Sequence, residues 1–431
     1  MSYKKRLTAD LDRWIEKGLV PGENRSAILA DIAPARASWS ASGAAAILGA
    51  VLLSFAAISF VAANWDAIPR LARFALLLAA LWASFAGSGA AFARNNRAAG
   101  HALAVLGAAL FGAAIALTAQ TFNMSAFRNT GVLIWTVGAL VTAVIIPSRP
   151  VLILAALLGA FWAGSEAMNP LTPGQIWGYA PVWLVTAGLA WRLKSALTVH
   201  LLGLALLVWA GHLLTETTAE AFSDQARAAV YAVIMGALAM GVAALRDRQV
   251  FGAGVLSAWL GAGALAAGFV VQSPDLAGDT LPGALYWLLS GAGLIALVLA
   301  ASIRTVQGGL ALGAAIAFIA GGLAAAALPA IYVLAPDGGA FIVEIAAGAA
   351  IYAAAVALIL IGARPGHRAA GVLGVIVFIA QTLYVYGALF GGLLSTSVFF
   401  AAGGLLLLLV SVLISRVARR IARPAREGDA S

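Results

Sequence analysis

The sequence has 431 residues, of which 63% are hydrophobic and 10% are charged, and its mean hydropathy is +0.98. Because soluble globular domains carry roughly a quarter charged residues, this composition excludes a soluble fold. The net charge of +9 does not indicate nucleic-acid binding, since the basic residues lie in short breaks between apolar runs, and the absence of cysteine excludes disulfides and thiolate metal sites.

Residues 1–41 form a polar segment that precedes the apolar runs. Its apolar residues recur at helical spacing, at Leu7, Leu11, Trp14, Ile15 and Leu19. Gly18 is placed to end this helix, and Pro21 is placed to begin a second one. Two short helices bury too little apolar surface to be stable alone, so we expect this cytoplasmic segment to dock on the membrane surface or on a protein partner. The alternative is a membrane-proximal leader without a binding role.

Residues 42–63 are an uncharged apolar run long enough to cross a hydrocarbon core of roughly 30 Å. Further runs repeat this pattern, and they are too long for barrel strands. We therefore expect an all-α bundle of about fourteen transmembrane helices over residues 42–415, followed by a basic cytoplasmic tail at 416–431. The predicted spans are 42–63, 71–93, 99–121, 131–147, 150–168, 176–192, 195–213, 227–245, 250–271, 283–302, 308–331, 339–362, 369–390 and 396–415.

The basic residues predict the orientation of these spans. If both termini are cytoplasmic and the spans alternate, all 26 lysines and arginines except Arg70, Arg73, Arg128 and Arg227 fall on the inner side. The positive-inside rule requires this asymmetry, and one missed helix would destroy it. Glycines within the spans, such as Gly254, Gly261 and Gly268, predict close approach between helix backbones.

Several short motifs in the first third of the chain resemble one known family. They are Leu11–Val20 (LDRWIEKGLV), Ala62–Pro69 (AANWDAIP), Ala119–Phe122 (AQTF) and Trp135. Over roughly residues 1–150 they are similar to a bacterial family of predicted membrane proteins, domain of unknown function 2157. The resemblance implies a bacterial inner (plasma) membrane and a cytoplasmic helical pair, and it implies no activity, cofactor or catalytic residue.

Polar residues at the outer ends of the first and third spans form the first candidate site. They are Asn64, Trp65, Asp66, Gln120 and Asn123. Their side chains could tie helix ends together as a structural clasp, or they could bind an ion or a small molecule. Ionisable groups inside a membrane are costly, so Glu166 and Glu344 are a second candidate set, with His200, His212 and Gln381 beside them. For Glu344 the alternative is that its side chain reaches the outer interface.

Enzymatic signatures are absent from the sequence, which contains no metalloprotease, phosphate-loop or nucleophile-elbow motif, and its four histidines are scattered. We therefore expect no enzyme, no cofactor and no metal. The leading hypothesis is a transporter-like or flippase-like protein with an outward-facing polar site. The alternative is a membrane scaffold or sensor that recruits a partner through residues 1–41. A continuous polar cavity lined by Glu344, Gln381 or Gln120 would favour transport, and a close-packed centre would favour the scaffold.

Overall fold

The computed structural model describes residues 3–31, parts of 48–59, and then 69–121, 129–168, 175–272, 276, 278–335, 339–364 and 367–389. Over these residues the chain forms fourteen α-helices and no strand. The chain divides into two units, Met1–Met124 and Ser125–Ser431.

The first unit has four described α-helices, of which the first two are a short polar pair. They are α1 (Tyr3–Glu16), α2 (Arg25–Asp31), α3 (Arg70–Ala93) and α4 (Arg97–Thr121). After α1 the chain turns at Gly18, whose φ of +66° is in the left-handed region that favours glycine. Arg25 of α2 donates from Nε to Asp12 Oδ1 of α1 at 2.7 Å. This ion pair joins the two helices, while Leu11 is buried and Leu19 stays 69% exposed.

The helices α3 and α4 pack against each other as an antiparallel pair. Their contact surface contains Leu77, Leu81, Leu110 and Leu117. Ser88 Oγ of α3 donates to the carbonyl of Gly100 in α4 at 2.8 Å, and this buried bond fixes the register near the connecting loop. An apolar helix pair of this kind is what residues 71–93 and 99–121 predict.

The second unit contains ten described α-helices. They are α5 (Thr130–Ile145), α6 (Arg149–Ala167), α7 (Tyr179–Leu193), α8 (Ala196–Thr218), α9 (Asp224–Asp247), α10 (Ala253–Val271), α11 (Ala284–Val306), α12 (Leu312–Leu334), α13 (Gly339–Gly362) and α14 (Arg368–Leu389). The helix α9 is central, because it packs against α8, α10, α11 and α12. Ser223 begins it, accepting a hydrogen bond from the backbone N–H of Ala226 at 3.2 Å.

Twelve of the fourteen predicted spans coincide with described helices, from α3 to α14. Ten of these helices are long and apolar enough to cross a membrane, which confirms a multi-pass, all-helical membrane protein. Among the others, α5 has 16 residues and α7 has 15, fewer than a straight span of the hydrocarbon core needs. The predicted spans 42–63 and 396–415 lie outside or largely outside the described residues, so the count of fourteen stays a prediction.

The helices α13 and α14 approach each other through glycines. A Cβ atom added at Gly374 would lie 2.7 Å from the Ala355 carbonyl oxygen and 2.8 Å from the Ile359 nitrogen. Gly362 and Gly371 are even closer, backbone against backbone. Close backbone approach is therefore a feature of this pair. Gly313, on α12, has open space around it.

Candidate functional site

Four of the five residues in the predicted outer polar cluster lie outside the described residues. These are Asn64, Trp65, Asp66 and Asn123. Gln120 lies in the last turn of α4, where its side chain is exposed. The cluster therefore stays a prediction, with the clasp and the ligand site both open.

The structure describes the side chain of one of the two carboxylates that the sequence predicts to lie in the membrane. Glu166 is only 4% exposed and accepts a hydrogen bond from the backbone N–H of Asn129, the residue before α5, at 2.6 Å. A carboxylate at a helix N-terminus is stabilised by the partial positive charge there, so Glu166 anchors the start of α5 against α6. Glu344 lies in α13, and its side chain is outside the described part of the chain.

A cavity of about 750 Å³ lies within the second unit, between α9, α10, α12, α13 and α14. One face of α9 and one face of α10 form two of its walls. Along each helix, residues that line the cavity are spaced alternately four and three positions apart. On α9 these positions are Ala232, Gly236, Ala239, Ala243 and Arg246; on α10 they are Gly254, Ala258, Gly261, Leu265 and Gly268. Small side chains at this spacing leave a long trough along each helix.

The remaining walls are apolar and one of them opens outward. Phe318 and Gly321 of α12 and Ile351 of α13 line the cavity. On α14 the lining includes Val372 and Ile376, which are 60% and 58% exposed. The cavity therefore reaches the surface of the described helices beside α14.

Two arginines and one histidine lie at one end of the cavity, which is called the basic end below: Arg246, Arg304 and His367. Arg304 is 5% exposed. Its Nε donates to Asp247 Oδ2 at 2.8 Å, and its Nη2 reaches Asp247 Oδ1 and the Gly309 carbonyl at 3.5 and 3.4 Å. These contacts fix the Arg304 side chain beside the ends of α9 and α11.

A second histidine also lines the cavity. His200 of α8 lines the cavity and accepts a hydrogen bond at Nδ1 from Trp259 Nε1 of α10 at 3.1 Å. This bond places the His200 proton, when the ring is neutral, on Nε2. The only other polar group along the described lining is Ser257, which donates to the Gly254 carbonyl in its own helix.

Buried amides and tyrosines close the opposite end of the second unit. This amide–tyrosine layer comprises Gln225, Gln272, Tyr286, Tyr332, Gln381 and Tyr384. Gln272 and Gln381 exchange side-chain hydrogen bonds, at 2.9 Å from Gln381 Nε2 to Gln272 Oε1 and 3.3 Å in return. The hydroxyls of Tyr332 and Tyr384 donate to the Gln272 carbonyl at 3.3 and 3.1 Å. The side-chain amides of Gln272 and Gln381 and these two hydroxyls therefore bond within the fold, one turn beyond Gly268, the last residue of α10 that lines the cavity.

The cavity differs from the polar pathway that would have favoured transport of a small polar solute. Its described lining contains neither Gln381 nor Gln120, and it contains no acidic side chain. An apolar cavity with cationic groups at one end matches an amphiphile, whose chain is apolar and whose headgroup is anionic. Within the described residues no three histidine, aspartate or glutamate side chains are grouped as metal ligands.

Sequence reasoning did not predict this cavity, although part of its signal was present. Gly254, Gly261 and Gly268 were interpreted as points of close helix contact. In the structure a Cβ added at Gly261 or Gly268 would meet only side-chain atoms of α14 or α13, at 4.0 and 3.7 Å, so these glycines face the trough. The recognisable pattern was a glycine at every seventh residue of α10, the first of which, Gly254, lies beside Arg246.

Comparison with known proteins gives one match. Residues 12–152, about a third of the 431-residue chain, match the family model described as "Predicted membrane protein (DUF2157)". This match confirms the resemblance in the first third of the chain, and it includes none of the helices that line the cavity. The chain matches no curated protein and no solved structure.

Proposed function

We propose that this chain, whose first third matches a family of predicted membrane proteins, is a non-enzymatic protein that binds or moves lipids. The second unit would bind a membrane lipid in the cavity between α9 and α14, in the manner of a transporter or flippase. The observation that supports this proposal best is the apolar cavity of about 750 Å³ that opens beside Val372 and Ile376 and has cationic groups at one end.

The physical argument begins with the cost of leaving such a space empty. Wall atoms that face a void lose their dispersion contacts, and water in an apolar cavity lacks hydrogen-bond partners. From Ala232 to Arg246, α9 lines the cavity over fifteen residues, whose ends are about 21 Å apart at the helical rise. That is more than half of a roughly 30 Å hydrocarbon core, which suits an acyl chain lying along the helices.

Orientation belongs to the same proposal. The loops that contain Arg248, Gln307 and Arg364 connect helices at the basic end, and positive charge near a span favours the cytoplasmic side. The basic end would then face the cytoplasm of a bacterial cell, with the chain in its inner membrane. A lipid headgroup bound there would come from the inner leaflet.

A cavity-filling substitution tests the binding site. Gly321 lines the cavity and has no atom within 4 Å of an added Cβ, so Gly321→Phe places a ring in the cavity. Gly313, on the same helix, is equally open but does not line the cavity, so Gly313→Phe is the matched control. Copurified lipid, counted by native mass spectrometry, should fall in the first variant only. Equal lipid in both variants would contradict the proposal.

Orientation is testable because the chain has no cysteine. Single-cysteine variants Arg248→Cys and Asp279→Cys place one thiol in an exposed loop at each end of the second unit. A membrane-impermeant maleimide added to intact spheroplasts should label position 279 and leave position 248 unlabelled until the cells are lysed. The reverse pattern would invert the proposed topology.

Partner recruitment through α1 and α2 is a second candidate function, favoured by one observation. Trp14 is 37% exposed and Leu19 is 69% exposed, so the helical pair leaves apolar surface uncovered. Replacing both by serine should reproduce the cellular phenotype of gene deletion without lowering the amount of protein in the membrane. A variant that behaves like the unmodified protein in cells would exclude this role.

A further inference from the structure

We infer that the basic end selects lipids with an anionic phosphate headgroup and that Arg246 makes the selecting contact. This inference rests on the proposed function, because it names the class of lipid that the cavity would take. Both use the cationic groups at the basic end, and the inference adds which residue makes the contact and which headgroup it favours.

The two arginines at the basic end have different roles. Arg304 is held by Asp247, by the Gly309 carbonyl and by Met240 Sδ at 3.1 Å, so its charge is largely neutralised and its position is fixed. Arg246 is the neighbour of Asp247 in the sequence and also lines the cavity. Asp247 is the carboxylate beside these two guanidinium groups, so the three side chains together carry one positive charge at this end of the cavity.

Helix ends add to this positive potential. The helices α10 and α14 begin at the basic end, and Gly254 and Ala369, in their first turns, line the cavity. Helix N-termini carry partial positive charge and expose backbone N–H groups, which favour anions. The C-termini of α9 and α11 carry partial negative charge, but Arg246 and Arg304 lie in those last turns and offset it.

Charge complementarity therefore selects the occupant. An anionic headgroup would accept hydrogen bonds from a guanidinium, and such charge-assisted bonds are about twice as strong as neutral ones. A zwitterionic headgroup would bring an ammonium group to a region where the described cavity lining has no acid to receive it. Since acyl chains gain little on moving from bilayer to an apolar cavity, the headgroup contact decides which lipid binds.

Matched lipids separate headgroup recognition from chain binding. The purified full-length chain is placed in detergent with phosphatidylglycerol or phosphatidylcholine that carry the same two oleoyl chains, and bound lipid is counted by native mass spectrometry. The expected result is a preference of roughly tenfold for phosphatidylglycerol, the scale of one charge-assisted hydrogen bond. In Arg246→Gln this preference should fall close to one, because phosphatidylglycerol, which has the net negative charge that phosphatidylcholine lacks, loses more of its binding.

Controls keep the test decisive. Arg248→Gln removes the same charge from an exposed residue that does not line the cavity, and it should keep the preference. If Arg246→Gln fails to fold, raising the salt concentration with the unmodified protein tests the same point, because screening should reduce the phosphatidylglycerol preference.

The outcomes are distinguishable. Equal binding of both lipids at low salt would overturn the headgroup inference and leave the lipid-binding proposal standing. Binding of neither lipid would overturn the proposed function itself. Oleate and inorganic phosphate are tested in the same assay. Displacement of phosphatidylglycerol by inorganic phosphate alone would show a free-anion site and overturn the lipid assignment. Tighter binding of oleate than of phosphatidylglycerol would overturn the choice of a phosphate headgroup.

Discussion

Removal of the carboxylate at Asp247 should destabilise the second unit more than removal of any exposed acid. In Asp247→Asn the guanidinium of Arg304 loses its charged partner, although the side chain of Arg304 is only 6% exposed. Breaking a buried ion pair on one side typically costs about 3–5 kcal/mol. The Asp247 side chain is 22% exposed and Arg304 keeps the Gly309 carbonyl, so we expect the lower end, about 3 kcal/mol.

The control for this prediction lies at the other end of α9. Asp224 pairs with Arg227, but its side chain is 62% exposed, so Asp224→Asn should cost less than about 1 kcal/mol. Unfolding of both variants by sodium dodecyl sulfate in mixed micelles, followed by far-ultraviolet circular dichroism, gives the two differences on one scale.

A double variant tests the cause. Replacing both members of the pair by apolar residues, Asp247→Leu with Arg304→Met, leaves no buried charge and should recover most of the loss. If Asp247→Asn unfolded at the same detergent fraction as Asp224→Asn, or if the double variant were no better than the single one, the reasoning from burial would be refuted.

Three further predictions concern other parts of the chain. Gly374→Ala should destabilise by about 1–3 kcal/mol because its Cβ meets the α13 backbone at 2.7 Å, whereas Gly313→Ala, measured in the same micelle assay, should not. Gln381→Leu should cost about 1–3 kcal/mol by leaving the amide of Gln272 without its partner, and the double leucine variant should be close to neutral. The hydrogen bond from Arg25 holds the pKa of the Asp12 carboxyl below its usual value. The stabilisation that this ion pair gives is therefore present above a pH of about 4 and is lost as the pH falls through the lowered pKa. A carbon-13 titration of the Asp12 carboxyl in the full chain should show this low midpoint, and Arg25→Gln should raise it; equal midpoints would contradict the assignment.

Hydropathy was sufficient to locate most of the helices. A backbone in lipid must satisfy its own hydrogen bonds, so a long apolar run in such a chain has one regular solution, and the bounds of α8 to α14 follow from local sequence. The turn at Gly18 was similarly predictable, because its cause lies within a few residues. The sequence predicted the length of α7 less well, because the predicted span 176–192 is longer than the 15-residue helix that forms there.

The candidate site was beyond local sequence. Gln381 was singled out as an isolated polar residue in a span, but its partner Gln272 is 109 positions away and only the fold makes them an amide pair. Glu166 was singled out for its charge, and the fold places it at the start of α5. The predicted outer cluster around Asp66 stays untested.

The sequence by itself determined the class of protein, because the free energy of burying a backbone in lipid depends on length and composition alone. Only the tertiary structure decided where the open space lies. A glycine in a membrane helix permits both close packing and a trough, and which of them occurs depends on the neighbour: Gly374 meets the backbone of α13, whereas Gly321 faces a cavity. The charges of Arg246 and Arg304 become a feature of that cavity only because α9 and α11 end beside it.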